Sequence, residues 1–165
     1  MITKLKFGFY KAKISTLKLI FLFIFILIEI SLIYLRQQNM DNESSIRIIK
    51  IIMFIFIWWF PLVTGISNSF RNIYFSLIWL LICLIWIKVS PNFENSILPL
   101  LTYIWVNFAR VIFRYFFKYE PIFMLIKNFP HHTYNKIEKR KSEKYDFIFS
   151  LIVFIVGVIL SIRLS

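Results

Sequence analysis

The stretch 17-LKLIFLFIFILIEISLIYL-35 decides how the rest of this chain is read. Past Lys18 it is almost wholly Leu, Ile and Phe, with Glu29 as its single carboxylate. Crossing about 30 Å of hydrocarbon takes roughly 20 apolar residues in a helix, and this run approaches that length. A lead at 1–16 with Lys4, Lys6, Lys11 and Lys13 precedes it, giving the layout of a secretory signal. The run is too long for an ordinary signal core, however, and "YLRQQN" offers no small-residue cleavage site. The segment is therefore expected to stay in place as an anchor.

The composition extends that reading to the whole chain. Of 165 residues, 59% are hydrophobic and 20% aromatic, with three glycines and a net charge of +12. A water-soluble domain of this size carries far more Gly, Ala and charge. The single cysteine, Cys83, excludes an internal disulfide and reads as a small apolar filler. The basic excess flanks apolar runs, so its expected partner is an anionic membrane surface and not nucleic acid.

Four more apolar runs follow the first, at 46–63, 73–89, 97–117 and 147–162. Trp58 and Trp59 suit the aromatic belt at the exit of the second. Pro61, Gly65 and the polar "SNSFRN" turn the chain toward the third. The last run is the shortest for a crossing. The expected fold is all-α: a polytopic membrane helix bundle of about five transmembrane helices, or four if 147–162 does not cross. It forms a single membrane domain, with 1–16 as a basic cytoplasmic lead. The long connection 118–146 is a cytoplasmic loop, its apolar start lying along the interface.

Sidedness follows from the cations. With the N-terminus inside, fifteen of the twenty Lys and Arg residues fall on one side; Arg36, Arg47, Lys50, Lys88 and Arg163 fall on the other. In the inner loop, Lys136, Lys139, Arg140, Lys141 and Lys144 are expected to contact anionic lipid, at about 1 kcal/mol each.

The fourth run closes on 107-NFARVIFRYFFKYEP-121. Its Arg110, Arg114 and Lys118 recur every four residues and fall on one stripe with Asn107 and Tyr103. Long cationic stems at an inner helix end act as anchors. Arg110 lies deeper and is expected to point inward, where with Asn107 it could form a polar seam for a partner. Glu29 needs a partner of its own at its depth. Lys50 lies about one turn into the second run, counted from the same outer loop, so the expected ion pair is Glu29–Lys50.

Catalytic patterns are absent from the sequence: no His-Glu-x-x-His, no Gly-flanked serine elbow and no Asp-rich phosphate or metal motif. His131 and His132 are adjacent and read as a solvated turn, not as metal ligands. No cofactor is expected, and the chain is read as a non-enzyme. Its short size, its lead "MITKLKFGFYKAK", its Phe/Ile-rich spans and its loop "NKIEKRKSEK" resemble small plasmid-encoded inner-membrane protective proteins. These are the entry-exclusion proteins of conjugative plasmids and the immunity proteins against pore-forming colicins. The resemblance implies a bacterial inner-membrane protein that binds an incoming toxin or transfer component within the bilayer. The alternative is an accessory or assembly subunit of a larger membrane complex.

Overall fold

The computed structural model describes residues 3–4, 8–38, 44, 47–48, 51–52, 55, 66–89, 96–123, 134–135 and 137–164. The chain is mostly helical, as its class predicts. The N-terminal lead forms a small antiparallel pair, β1 (Thr3–Lys4) with β2 (Tyr10–Lys11). Helix α1 spans Thr16–Gln38, and a 3-10 helix at Ile66–Arg71 leads into α2 (Ile73–Val89). Helix α3 is Leu98–Phe117. A second strand pair, β3 (Tyr134–Asn135) with β4 (Arg140–Lys141), precedes α4 (Lys144–Leu164). The run 46–63 and the residues Lys50, Trp58, Trp59, Pro61, Gly65, Lys136, His131 and His132 lie outside the described residues, apart from isolated positions in that run.

Helix ends are set by local chemistry. Asn72 starts α2: its carbonyl accepts from Ser76 N–H at 2.8 Å and its Oδ1 from Tyr74 N–H at 3.1 Å, which satisfies donors that have no partner inside the helix. Helix α3 begins with Pro99 in its first turn, where a missing N–H costs nothing. It ends on Lys118 in the left-handed conformation (φ 62°), whose N–H bonds the Arg114 carbonyl at 2.9 Å. Helix α4 opens three residues ahead of its apolar run through a reciprocal cap. The Glu143 carbonyl accepts from Asp146 N–H at 3.0 Å, and Asp146 Oδ2 accepts from Glu143 N–H at 2.9 Å.

The packing fixes the directions. Phe25 of α1 stacks on Trp79 of α2 at 4.8 Å. One to two turns further along both helices, Glu29 and Ile33 face Ile82 and Trp86 across a shared cavity. Helices α1 and α2 thus run parallel. Helix α4 runs antiparallel to α3, with Phe117 beside Tyr145, Phe113 beside Phe149, and Trp105 Nε1 donating to the Val153 carbonyl at 3.0 Å. Trp79 Nε1 ties α2 to the start of α3 through the Pro99 carbonyl at 3.1 Å. The aromatic core lies around Phe25, Phe70, Phe75 and Trp79, with Cys83 buried in the same cluster.

Thr16–Leu35, with a mean hydropathy of 2.5, is the one described helix both long and apolar enough to cross a membrane; Ile73–Lys88 is a shorter apolar helix. All four helices turn large apolar side chains outward. Examples are Phe23 and Leu27 on α1, Leu77, Leu81 and Leu84 on α2, Ile104 and Phe108 on α3, and Ile148 and Ile152 on α4. Buried positions include Glu29, Arg71, Ser76, Thr102, Arg110, Asp146 and Ser150.

Candidate functional site: a basic pole and a mid-bundle carboxylate

The lead, the start of α2, the end of α3 and the start of α4 meet at one pole, and a knot of charge holds them together. Its centre is Glu120, just past α3. Its carboxylate lies 3.2 Å from Arg114, 3.7 Å from Arg110 and 3.8 Å from Arg71. Arg71 donates through Nε and Nη2 to the Gly8 carbonyl at 2.9 and 2.7 Å, and its Nη2 meets Glu138 at 2.7 Å. The Arg110 guanidinium sits 4.5 Å from the centre of the Phe9 ring and the Arg71 guanidinium 5.8 Å from that of Tyr10, distances at which a ring face attracts a cation. Burial pushes the Tyr10 phenol up; Arg71 lowers it and Glu138 raises it. The ring therefore stays neutral at physiological pH.

Gly8 is required at its place. Its φ is +74°, and a Cβ there would run into the Glu120 carboxylate. Asn72 extends the latch by donating to the Ala12 carbonyl at 2.9 Å. The lead is thus bound through its backbone to side chains from the start of α2.

A second knot adjoins the first. Asp146, fully buried, takes two hydrogen bonds from Arg140 at 2.7 Å each and one from the Ile122 N–H at 2.8 Å. This two-pronged pairing is the strong form of an Arg–carboxylate contact. Arg140 also donates to the Glu120 carbonyl at 2.7 Å and lies 4.2 Å from the centre of the Tyr119 ring. Burial lowers the Arg140 guanidinium pKa, but the Asp146 carboxylate reverses this and the net direction is up.

The third feature stands apart from the pole. Between α1 and α2 a cavity of about 160 Å³ is lined by Ile26, Glu29, Ile30, Ile33, Ile82, Ile85 and Trp86. Glu29 is 5% exposed, and its Oε1 is buried with no hydrogen-bond partner among the described residues.

The stripe read on α3 divides. Tyr103 packs edge-on against Phe70 at 5.4 Å, and Asn107 Nδ2 donates to the Tyr103 carbonyl at 3.0 Å. Arg110 is buried inside its own chain, while Arg114 and Lys118 are exposed. Depth counted along an isolated helix set Arg110 well above the inner exit. In the bundle it shares Glu120 with Arg71, which lies before α2 begins, so both arginines stand at the polar pole. Of the expected lipid-contact residues, Lys139, Lys141 and Lys144 are exposed, and Arg140 turns inward to Asp146. The "SNSFRN" stretch, read as a polar turn, is a 3-10 helix with Ser67, Ser69, Phe70 and Arg71 buried.

Sequence reasoning picked out Arg110, Arg114 and Arg140 but not Arg71, Glu120, Glu138, Asp146 or Gly8. The available signal was the placing of scarce carboxylates on the lysine-rich side of the chain. Among the described residues, no three His, Cys, Asp or Glu side chains gather as metal ligands. Comparison with family models, with curated proteins and with solved structures finds no match.

Proposed function

We propose that this chain is a polytopic helical protein of a bacterial inner membrane. It acts by recognising another protein within the bilayer and has no catalytic role of its own. The observation that carries the reading is that every described helix turns large apolar side chains outward, while Glu29, Ser76, Thr102, Arg110, Asp146 and Ser150 are buried inside. In water such outward apolar faces would be an aggregation liability. In hydrocarbon they are matched to their solvent, and the buried polar groups are kept from it.

The packing supports several crossings. Parallel α1 and α2 require a return between them, and the lead, the start of α2, the end of α3 and the start of α4 share one pole. That alternation is what five spans with the N-terminus inside produce. The cations of this pole then face the anionic inner leaflet, and the outward faces of α2, α3 and α4 are free to meet a partner helix. The role that fits best is protective, of the entry-exclusion or bacteriocin-immunity kind.

Photo-crosslinkers placed at Leu81 and Phe108 in intact membranes test this. A discrete protein adduct, formed only in cells challenged with a conjugating plasmid or a pore-forming toxin, is expected. Lipid adducts alone would remove the recognition role. A constant stoichiometric set of subunits would make the chain an accessory subunit of a membrane complex instead.

A further inference from the structure

The α1–α2 cavity is a different kind of place from the pole, and it holds a buried carboxylate that the pole does not use. Glu29 lines a space walled by Ile26, Ile30, Ile33, Ile82 and Ile85, with the Trp86 indole completing the wall, and its Oε1 is buried with no hydrogen-bond partner among the described residues. A lone carboxylate in such surroundings is costly as an anion unless a cation joins it. The wall selects which cation. Among the described lining residues Glu29 is the sole carboxylate, whereas a hard metal ion needs six or more oxygens or its retained water. An alkyl stem gains by leaving water for the isoleucines, and an indole attracts an ammonium head. At about 160 Å³, the space suits a short aliphatic stem.

We infer that the α1–α2 cavity is a binding site for a small aliphatic ammonium ion, with Glu29 as its counter-ion and the isoleucines and Trp86 enclosing its stem. The inference stands apart from the proposed recognition role, since it depends on the cavity and not on which protein the outer helix faces meet.

The full chain in lipid nanodiscs, probed with n-butylammonium by saturation-transfer NMR, tests it. Saturable binding is expected for the wild type, and Glu29→Gln should weaken it at least about tenfold, the loss that removing one charge-assisted contact brings. Ile85→Trp keeps the carboxylate, fills the cavity from its open side and should weaken binding to a similar degree. Neutral n-butanol should show no dependence on Glu29. Equal signals from the wild type and Glu29→Gln would mean that the probe merely partitions into lipid, and the site is lost. Binding that appears only after Lys50→Ala would overturn the inference in another way, by assigning the carboxylate to the chain's own lysine. No saturable binding in either protein would leave Glu29 a neutral acid with no ligand.

Discussion

The basic pole and the α1–α2 cavity both bury ionisable groups, and they meet the cost in opposite ways. At the pole, Glu120 faces three guanidinium groups and Asp146 receives hydrogen bonds from Arg140 and two backbone N–H groups. Desolvation there is offset by close pairing. In the cavity, Glu29 meets isoleucines. The pole therefore reads as structural cement holding the lead and helix ends in register. The cavity, with its cost unanswered among the described residues, reads as a place kept for something else. The contrast predicts that mutations at the two places will differ in size and in sign.

The largest effect should come from Glu120→Gln. The change leaves Arg71, Arg110 and Arg114 around a neutral amide, with Arg110 only 2% exposed. Breaking a buried pair by removing one partner costs about 3–5 kcal/mol. A fall of that size in the detergent unfolding free energy, with loss of the protein from membranes, is the expected result. A change below about 1 kcal/mol would mean that Glu138 and the Gly8 carbonyl suffice, and the pole would no longer be the contrast to Glu29 drawn here.

Asp146→Asn should rank next. It keeps the size of the group but supplies an amide N–H where Arg140 or a backbone N–H already donates. A cost of about 2–3 kcal/mol follows from one clashing donor and one weakened ion pair. Proteolysis should reveal the lesion locally, at the start of α4, because the helix loses its cap along with the Arg140 tie. Cleavage spread evenly over the chain would argue against that localisation.

Gly8→Ala probes the latch from the other side. Positive φ costs an alanine about 1–3 kcal/mol, and the added methyl group must also displace the Glu120 carboxylate. The lead should therefore detach while the helices persist. The readout is faster amide exchange at Tyr10 and Lys11 with helical content unchanged. Unaltered exchange there would show that Asn72 and Tyr10 hold the lead without the Gly8 carbonyl.

How much of this could be read from sequence follows from which interactions are local. Residues 73–89 were read as a helix with the observed bounds, because an apolar run between polar turns carries its own limits. Helix α4 was read as 147–162 and begins at Lys144, since counting apolar residues discards the charged turn in which Glu143 and Asp146 build the cap. Arg110 was expected to point inward, and it does. Its counter-ion was missed because Glu120 comes after the helix ends, and no periodicity connects a helix face to a loop. The partners of Arg71 come from Gly8 and Glu138, at opposite ends of the chain. Glu29 was singled out by its isolation in an apolar run, which is a one-dimensional property. Its cavity depends on how α1 meets α2, which is not.

The smallest effect, and the one of opposite sign, belongs to Glu29→Gln. Glutamine has nearly the same shape, so the cavity walls stay as they are and no packing is lost. The amide cannot ionise, so the cost of an isolated carboxylate among isoleucines disappears. Replacing a buried carboxyl group that ionises only at a cost by a neutral group of equal volume is neutral or stabilising, here by about 1 kcal/mol or less, measured by thermal unfolding in detergent. A loss beyond about 2 kcal/mol would instead require a cation already resting on Glu29. The sequence supplies one in Lys50, which lies outside the described residues. The charge exchange Glu29→Lys with Lys50→Glu would then restore what either single reversal loses, and the cavity would belong with the pole as another answered charge. If the single Gln variant is more stable than the parent, the carboxylate has been held at a cost to folding that no contact within the described chain repays.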